Sequence, residues 1–220
     1  YACSEARKVS GSVEGVYIDE GMATYLGHKS ENKIQHKYID PFFKKVVYGW
    51  WFDNPVVIGV SKWVDSVYAA FPEAVHPLLK HKHVQGISRD IFSSKEFLSF
   101  SQGLLSSKKV SLEQFKNTKC LLLLTHDSFY KDPVNHLGNL LEQLKSCFEP
   151  GEIAIKLHPR SLMLEEYQSH FPEFTYLPVT LGVEFFIPQI NSECVFVGDI
   201  SSTMFTIKWF KPYSDLVSVN

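Results

Sequence analysis

The sequence lacks the features that mark membrane-spanning, repetitive or disulfide-stabilised proteins. No apolar run approaches the ~20 residues that cross a bilayer, and no internal repeat or low-complexity tract occurs. Only four cysteines stand among the 220 residues, and their spacing fits neither a disulfide framework nor a paired-cysteine metal site. We therefore expect reduced thiols and a cytoplasmic setting.

An excess of charge of either sign is also missing. The formal net charge is −2 with histidine neutral, which argues against nucleic acid as the main partner. Hydrophobic residues make up 45% of the chain and aromatic residues 14%, enough for a packed core and too much for a disordered protein.

The pattern along the second half predicts an α/β fold. Apolar runs of strand length alternate with segments of helical periodicity, joined by short connections, which is typical of a parallel sheet with helices on both faces. The predicted strands are 121–124, 153–157, 175–177 and 194–197, and the predicted helices are 133–148, 162–171, 181–186 and 203–210.

The first half is less regular. Strands are predicted at 13–18 and 56–60, and helices at 61–71 and from Ser93 or Ser94 to about 105. Residues 102–118 are rich in Ser, Lys and Asn and are interpreted as a linker. We therefore predict two domains, 1–115 and 116–220, the first incomplete at its N-terminus.

Three short polar motifs follow apolar runs and are predicted to lie at strand ends. They are Asp19-Glu20-Gly21, His158-Pro159-Arg160 and Ser201-Ser202-Thr203. Thr125 ends a fourth run in the same way. In open α/β sheets this edge is where ligands bind. The motifs supply a carboxylate, an imidazole and hydroxyls beside a helix start, the parts of a transfer reaction with a phosphate leaving group.

Each motif also has a plain structural interpretation. Asp19 or Glu20 can act as a general base, or the pair can be solvated acids in a turn made by Gly21. His158 can bind a phosphate or protonate a leaving group, or it can be satisfied by local hydrogen bonds. Ser201 can belong to an anion site at a helix N-terminus, or it can be an ordinary cap.

Residues 28–45 form a basic stretch with interleaved aromatic residues. Such a stretch can hold an anionic glycan or a membrane surface, although a solvated basic face is the commoner explanation. Lys33 and Lys37 are the acceptor-binding candidates there. The histidines at 76, 81 and 83 have no carboxylate or cysteine at metal-ligand spacing, so we predict no metal site.

Taken together and in this order, the acidic pair with Gly, the His-Pro pair and the hydroxyl pair resemble bacterial sialyltransferases. The resemblance is to the capsule polysialyltransferase and lipooligosaccharide sialyltransferase group and covers residues 16–210. It implies the two-domain GT-B glycosyltransferase fold, with a Rossmann-like nucleotide domain at 116–220 and part of a second at 1–115.

The resemblance also implies roles for individual residues. Asp19 would deprotonate the acceptor hydroxyl, with Glu20 as the alternative base. His158 would contact the CMP phosphate or act as its general acid, with Pro159 shaping the loop. Glu184 would hold the ribose hydroxyls, and Ser201 and Ser202 would bind the phosphate. Gly21, Thr125, Arg160 and Thr203 are weaker candidates.

The implied function is inverting transfer of sialic acid from CMP-sialic acid to a glycan hydroxyl, with an anionic glycan as one acceptor type and no cofactor required. The implied location is the bacterial cytoplasm, including peripheral association with the inner membrane or a capsule-assembly complex. Two alternatives stay open. One is a transferase for another CMP-activated acidic sugar, such as Kdo. The other is a non-catalytic glycan-binding or assembly subunit of the same fold.

Overall fold

The computed structural model describes residues 2–27, 40–49, 57, 59–110, 113, 115 and 117–219. The chain forms two compact units, Tyr1–Ser88 and Arg89–Asn220. No helix among these described residues is long and apolar enough to cross a bilayer.

The first unit is built on a three-stranded parallel sheet in the order β1-β2-β3. Its strands are β1 (Val16–Ile18), β2 (Ser66–Ala69) and β3 (His83–Gly86), and its helices are α1 (Ala2–Val9), α2 (Ala23–Leu26) and α3 (Asp40–Tyr48). Its core consists of Val57, Val67, Ala69, Val75 and Leu79. These small side chains come mainly from the central strand and from the turns beside it.

The central strand β2 corrects one prediction, because residues 61–71 were expected to be helical. Ser66, Val67 and Ala69 are all buried, since β2 lies between β1 and β3. A central parallel strand is covered on both faces, so it lacks the alternation that identifies a half-exposed strand. Of the predicted strand at 13–18, residues 16–18 are confirmed as β1. Of the predicted strand at 56–60, residues 57, 59 and 60 are described and lie outside any strand, so this prediction is wrong there, while 56 and 58 lie outside the described residues.

The second unit holds a five-stranded parallel sheet in the order β6-β5-β4-β7-β8. Its strands are β4 (Cys120–Leu123), β5 (Ile153–Lys156), β6 (Thr175–Tyr176), β7 (Val195–Gly198) and β8 (Leu216–Ser218). Its helices are α4 (Asp90–Ser93), α5 (Lys95–Ser107), α6 (Pro133–Leu144), α7 (Leu164–His170) and α8 (Ser202–Phe210). The strand and helix alternation predicted from the sequence is therefore confirmed.

Helices cover both faces of this sheet, as the α/β prediction requires. Leu121 and Leu123 of β4 point into one apolar cluster, with Phe186 and Ile207. Leu122, between them, points into the other, which also contains buried residues of α6 and α7. This division follows from the two-residue period of a strand. The α/β class is thus confirmed, and the GT-B assignment stays a prediction.

The helix ends show why these segments begin where they do. Ser94 caps α5 by accepting a hydrogen bond from the Phe97 N–H at 3.1 Å. Asp132 caps α6 by accepting from the Asn135 N–H at 3.0 Å, and Pro133 occupies the first turn. Both caps satisfy N–H groups that a helix itself cannot.

The predicted linker at 102–118 is partly ordered core. Helix α5 continues to Ser107, and Leu105 and Phe115 are buried in the second unit. The Ser101 hydroxyl donates to the carbonyl of Phe185 at 2.7 Å. The domain limits of 1–115 and 116–220 stay a prediction, because compact units are not by themselves independently folding domains.

The order of the strands creates a switch point between β4 and β7. The chain runs from β4 outward through β5 to β6, then returns to the other side of β4 and continues through β7 to β8. Leu123 at the end of β4 lies opposite both Lys156 of β5 and Gly198 of β7. The connections after β4 and β7 therefore diverge at one sheet edge, and such an edge is the usual ligand site.

Candidate active site

A cleft of about 280 Å³ opens at this edge of the second unit. That volume is near the lower end of small-molecule sites, which are roughly 300–1,000 Å³. The cleft is lined by Leu123, Leu124, Thr125, Lys156, Leu157, His158, Pro159, Gly182, Val183, Glu184, Ser201 and Thr203. Two of the three predicted motifs therefore meet at one place.

His158 follows β5 and is held by its own loop. Its Nδ1 accepts a hydrogen bond from the backbone N–H of Arg160 at 3.1 Å, so the neutral ring carries its proton on Nε2. Partial burial lowers the pKa of His158, and the nearby charges of Arg160 and His126 lower it further. At neutral pH the ring is thus a neutral donor beside the cleft.

Lys156 is a buried cation on the wall of the cleft that the sequence analysis did not select as a site residue. Its side chain is 5% exposed, and its Nζ donates to the carbonyls of Leu157 at 2.8 Å and Val179 at 3.2 Å. Burial lowers the pKa of Lys156 to about 8, against the opposing effect of Glu184. A lysine inside an apolar strand was the signal that could have identified it.

Glu184 lies on a short 3₁₀ turn, Val183–Phe185, and lines the cleft together with the strand ends. Gly182 precedes this turn, and a Cβ there would collide with the Glu184 carboxylate. The glycine therefore leaves the space in which the carboxylate lies. A carboxylate in this position can accept hydrogen bonds from two hydroxyls.

The hydroxyl motif divides between the cleft and solvent. Ser201 is the N-cap residue of α8, and its side chain makes no capping hydrogen bond. Ser201 and Thr203 line the cleft, whereas Ser202 is exposed and is not among the lining residues. The N–H groups of the first helical turn have no acceptor within the helix, so this end favours an anion.

Asp199 and Tyr130 are polar residues that the sequence analysis did not select. Asp199 is 6% exposed and accepts hydrogen bonds from Thr125 Oγ1 at 2.8 Å and from the Tyr130 hydroxyl. Burial raises the pKa of Tyr130 to about 12, with a further contribution from its bond to Asp199. The cluster joins the ends of β4 and β7 and fixes the Thr125 hydroxyl at the cleft.

Close packing of the strands also shapes this edge. Gly198 ends β7 beside Leu123, and a Cβ on Gly198 would collide with the Leu123 carbonyl oxygen.

Arg160 is exposed next to Pro159, and its charge lowers the pKa of His158.

The acidic motif lies in the first unit, after β1. The Asp19 carboxylate accepts hydrogen bonds from the N–H of Gly21 at 2.7 Å, from the N–H of Ala70 at 3.1 Å and from the Tyr25 hydroxyl. Gly21 has a φ of +111°, which only glycine adopts without strain. Glu20 is exposed, so only one acid of the pair is built into the unit.

The acceptor candidates Lys33 and Lys37 lie outside the described residues. Of the basic stretch, the structure describes residues 40–45, where Lys44 is exposed and Lys45 is half-buried.

Comparison with protein families shows which family the chain belongs to. The family model of alpha-2,8-polysialyltransferase (POLYST) matches residues 5–220. The chain belongs to this family. A search of curated proteins found no match.

Membership in the polysialyltransferase family confirms the coarser part of the sequence predictions. The family transfers sialic acid, which implies a nucleotide-sugar donor and a glycan acceptor. The parallel α/β fold agrees with a Rossmann-like glycosyltransferase. Bacterial origin and the capsule or lipooligosaccharide group stay predictions.

Proposed function

We propose that the protein is an inverting sialyltransferase that moves sialic acid from CMP-sialic acid to a glycan hydroxyl. One observation carries this proposal. A single cleft at the switch point of the second unit brings together His158, Glu184 and Ser201, which lie far apart in the sequence. Its chemistry suits a nucleotide whose phosphate is the leaving group.

The phosphate of the donor would lie at the start of α8. There the N–H groups of the first turn and the hydroxyl of Ser201 donate to its oxygens. His158 adds an Nε2–H donor, and Lys156 adds a positive charge at the wall of the cleft. Donors and a cation fixed around a developing phosphate charge lower the barrier to its departure.

Glu184 would hold the ribose of the nucleotide. Glu184 lines the same cleft as Ser201 at the helix start, and its carboxylate can accept from two neighbouring ribose hydroxyls. The negative charge of Glu184 raises the pKa of Lys156. The positive charge of Lys156 in turn helps to balance the Glu184 carboxylate in the cleft. The donor is thereby fixed at both its ribose and its phosphate.

Asp19 is the proposed general base. A carboxylate has about four acceptor positions, and three are used by Gly21, Tyr25 and Ala70. Within the described part of the chain, one position remains for an acceptor hydroxyl. As that hydroxyl attacks the anomeric carbon, its proton passes to Asp19, the new C–O bond forms, the C–O bond to phosphate breaks and CMP leaves with inversion.

Protein donors supply all the charge compensation in this scheme, so the proposed reaction uses no metal or other cofactor. Two further predictions from the sequence remain proposals. One is acceptor binding by Lys33 and Lys37, and the other is association with the membrane or with capsule-assembly partners.

Calorimetric titration with CMP tests the donor site. We expect His158→Ala and Ser201→Ala each to weaken CMP binding at least tenfold, which corresponds to about 1.4 kcal/mol. His170→Ala is the matched control, because its side chain is exposed and does not line the cleft. Unchanged affinity in the first pair, with their fold intact, would refute the assignment.

Donor choice is tested separately with the wild-type protein. CMP-sialic acid should support transfer and CMP-Kdo should not. Transfer from CMP-Kdo alone would replace the proposed donor, and CMP binding without turnover of either would favour a non-catalytic subunit.

A further inference from the structure

A second cleft lies in the second unit and shares no residue with the first. Its volume is about 440 Å³, and it is lined by parts of α4, α5, the segment at 187–188 and the end of α8. Neither the family match nor the proposed donor site assigns it a ligand. We propose that this cleft binds an acidic sugar unit of the glycan chain, through a carboxylate at Arg89 and a sugar ring against Phe92 and Phe210.

The inner wall of this cleft is apolar and aromatic. Ile187 is 1% exposed, and Leu98 and Pro188 lie beside it. The rings of Phe92 and Phe210 have centroids 4.2 Å apart, and Phe92 also packs against Trp209 at 5.3 Å. These contacts fix the rings, so their remaining surface is a preformed platform for the C–H face of a sugar. Preformed apolar surface with a few polar groups is the usual composition of a ligand site.

The rim of the cleft carries two cations. Arg89 is exposed at the N-cap position of α4, and within the described part of the chain no hydrogen bond or ion pair occupies its guanidinium. A guanidinium presents a planar fork that matches a carboxylate with two hydrogen bonds. Arg89 is therefore the group best placed to select an anionic ligand.

Lys211, the residue after α8, also lines the cleft, and burial lowers the pKa of its ammonium. Its Nζ donates to the carbonyls of Ile190 at 2.7 Å and Asn191 at 3.3 Å. An ammonium has three donors, so one donor remains after these two bonds. The carbonyls hold the ammonium in place at low cost in side-chain entropy, which makes it a fixed donor.

The mixture of aromatic surface, cation and carboxylate fits a carboxylated sugar. Asp90 also lines the cleft, and a carboxylate can accept hydrogen bonds from sugar hydroxyls. An apolar ligand would leave the charges unpaired. The inference rests on the proposed function for its ligand, since a chain of sialic acid carries a carboxylate on every unit. Acceptor and product share this chemistry, and the cleft holds a unit of the chain away from the reacting end.

The test uses an α2,8-linked sialic acid trimer as the probe and the full chain as the protein. We expect Arg89→Ala to weaken trimer binding about tenfold or more in calorimetry, and Arg89→Lys to fall between that variant and the wild type. Lys208→Ala is the matched control, because Lys208 lies on α8 near Phe210, is exposed and does not line the cleft. CMP affinity should be the same in all four proteins.

Two results would overturn the inference. One is equal trimer affinity in the wild type and Arg89→Ala. The other is binding of a neutral trisaccharide as tightly as the acidic trimer. Trimer binding needs no donor, so these results are independent of whether CMP binds at His158. In transfer assays Arg89→Ala should raise KM for a long acceptor and leave KM for the donor unchanged.

Discussion

Residue identity decides the chemistry of the strand-end cleft, and the sequence identified part of it. His158, Glu184 and Ser201 were predicted and lie on the cleft together. Lys156 and Asp199 were not predicted as site residues, because a charged residue at the end of an apolar strand can point either into a site or away from it. Their burial, at 5% and 6% exposure, is what reveals them.

The lowered pKa of Lys156 leads to a prediction about pH. Burial lowers that pKa from its usual 10.5 to about 8, so Lys156 is charged below pH 8 and neutral above it. A bound phosphate is attracted to the charged form only. We therefore expect wild-type CMP affinity to fall as the pH rises through 8, and the calorimetric titration repeated from pH 6 to 9.5 measures this.

Lys156→Met is the variant that assigns this effect. Methionine has a similar length and no charge, so its affinity should be lower at pH 7 and nearly independent of pH between 7 and 9.5. An unchanged decline above pH 8 in this variant would mean that another group titrates.

The same lysine predicts how stability depends on pH. The folded protein loses the Lys156 proton near pH 8, whereas the unfolded chain keeps it up to about 10.5. The contribution of Lys156 to the free energy of unfolding therefore rises with pH between those two values. The melting temperatures of the wild type and of Lys156→Met should converge as the pH approaches 10.5. A difference in melting temperature between the two proteins that stays constant over this pH range would contradict the burial of the charged lysine.

At the scale of elements, the predictions succeeded where local pattern and tertiary environment agreed. The helix predicted at 133–148 is α6, which has an Asp132 cap, a proline in its first turn and buried leucines. Strand β2 was predicted as a helix because the environment that buries Ser66 and Val67 together is made by β1 and β3, which are distant in sequence. Propensity is a weak guide at such positions.

Replacing two glycines in different elements by alanine should change the free energy of unfolding in opposite directions. Gly198 lies in β7, where a Cβ would collide with the backbone of β4, so Gly198→Ala should lower the free energy of unfolding by about 1–3 kcal/mol. Gly103 lies inside α5 with nothing within 4 Å of an added Cβ, so Gly103→Ala should raise it by about 1 kcal/mol.

Urea denaturation measures both changes. The pair serves as its own control, since the same substitution is made in the same unit. Destabilisation of both variants to a similar extent would show that the close approach of β4 and β7 is not the cause.

At the scale of the whole molecule, the proposed roles divide between the two units. The donor cleft is built entirely from the second unit, whereas Asp19 belongs to the first. Binding of CMP and deprotonation of the acceptor should therefore be separable by mutation, although transfer requires both.

Asp19→Asn tests this separation. The variant keeps the shape of the side chain and loses the carboxylate, so we expect kcat to fall by about 10²–10⁴-fold with CMP affinity unchanged. Glu20→Gln is the matched control, because Glu20 is the exposed neighbour, and its kcat should match the wild type. If Asp19 only stabilises its turn, Asp19→Asn will melt at lower temperature and keep its kcat at temperatures where it is folded.

The sequence by itself determined the α/β alternation of the second half, the helix caps and the position of polar motifs after apolar runs, because these depend on residues near one another in the chain. The tertiary structure decided which motifs share a site. Parallel pairing of β4 with β5 and β7 places Thr125, His158 and Ser201 at one edge. The sequence gives no distance between residues that far apart, and it does not show that Ser201 lines the cleft while Ser202 is exposed.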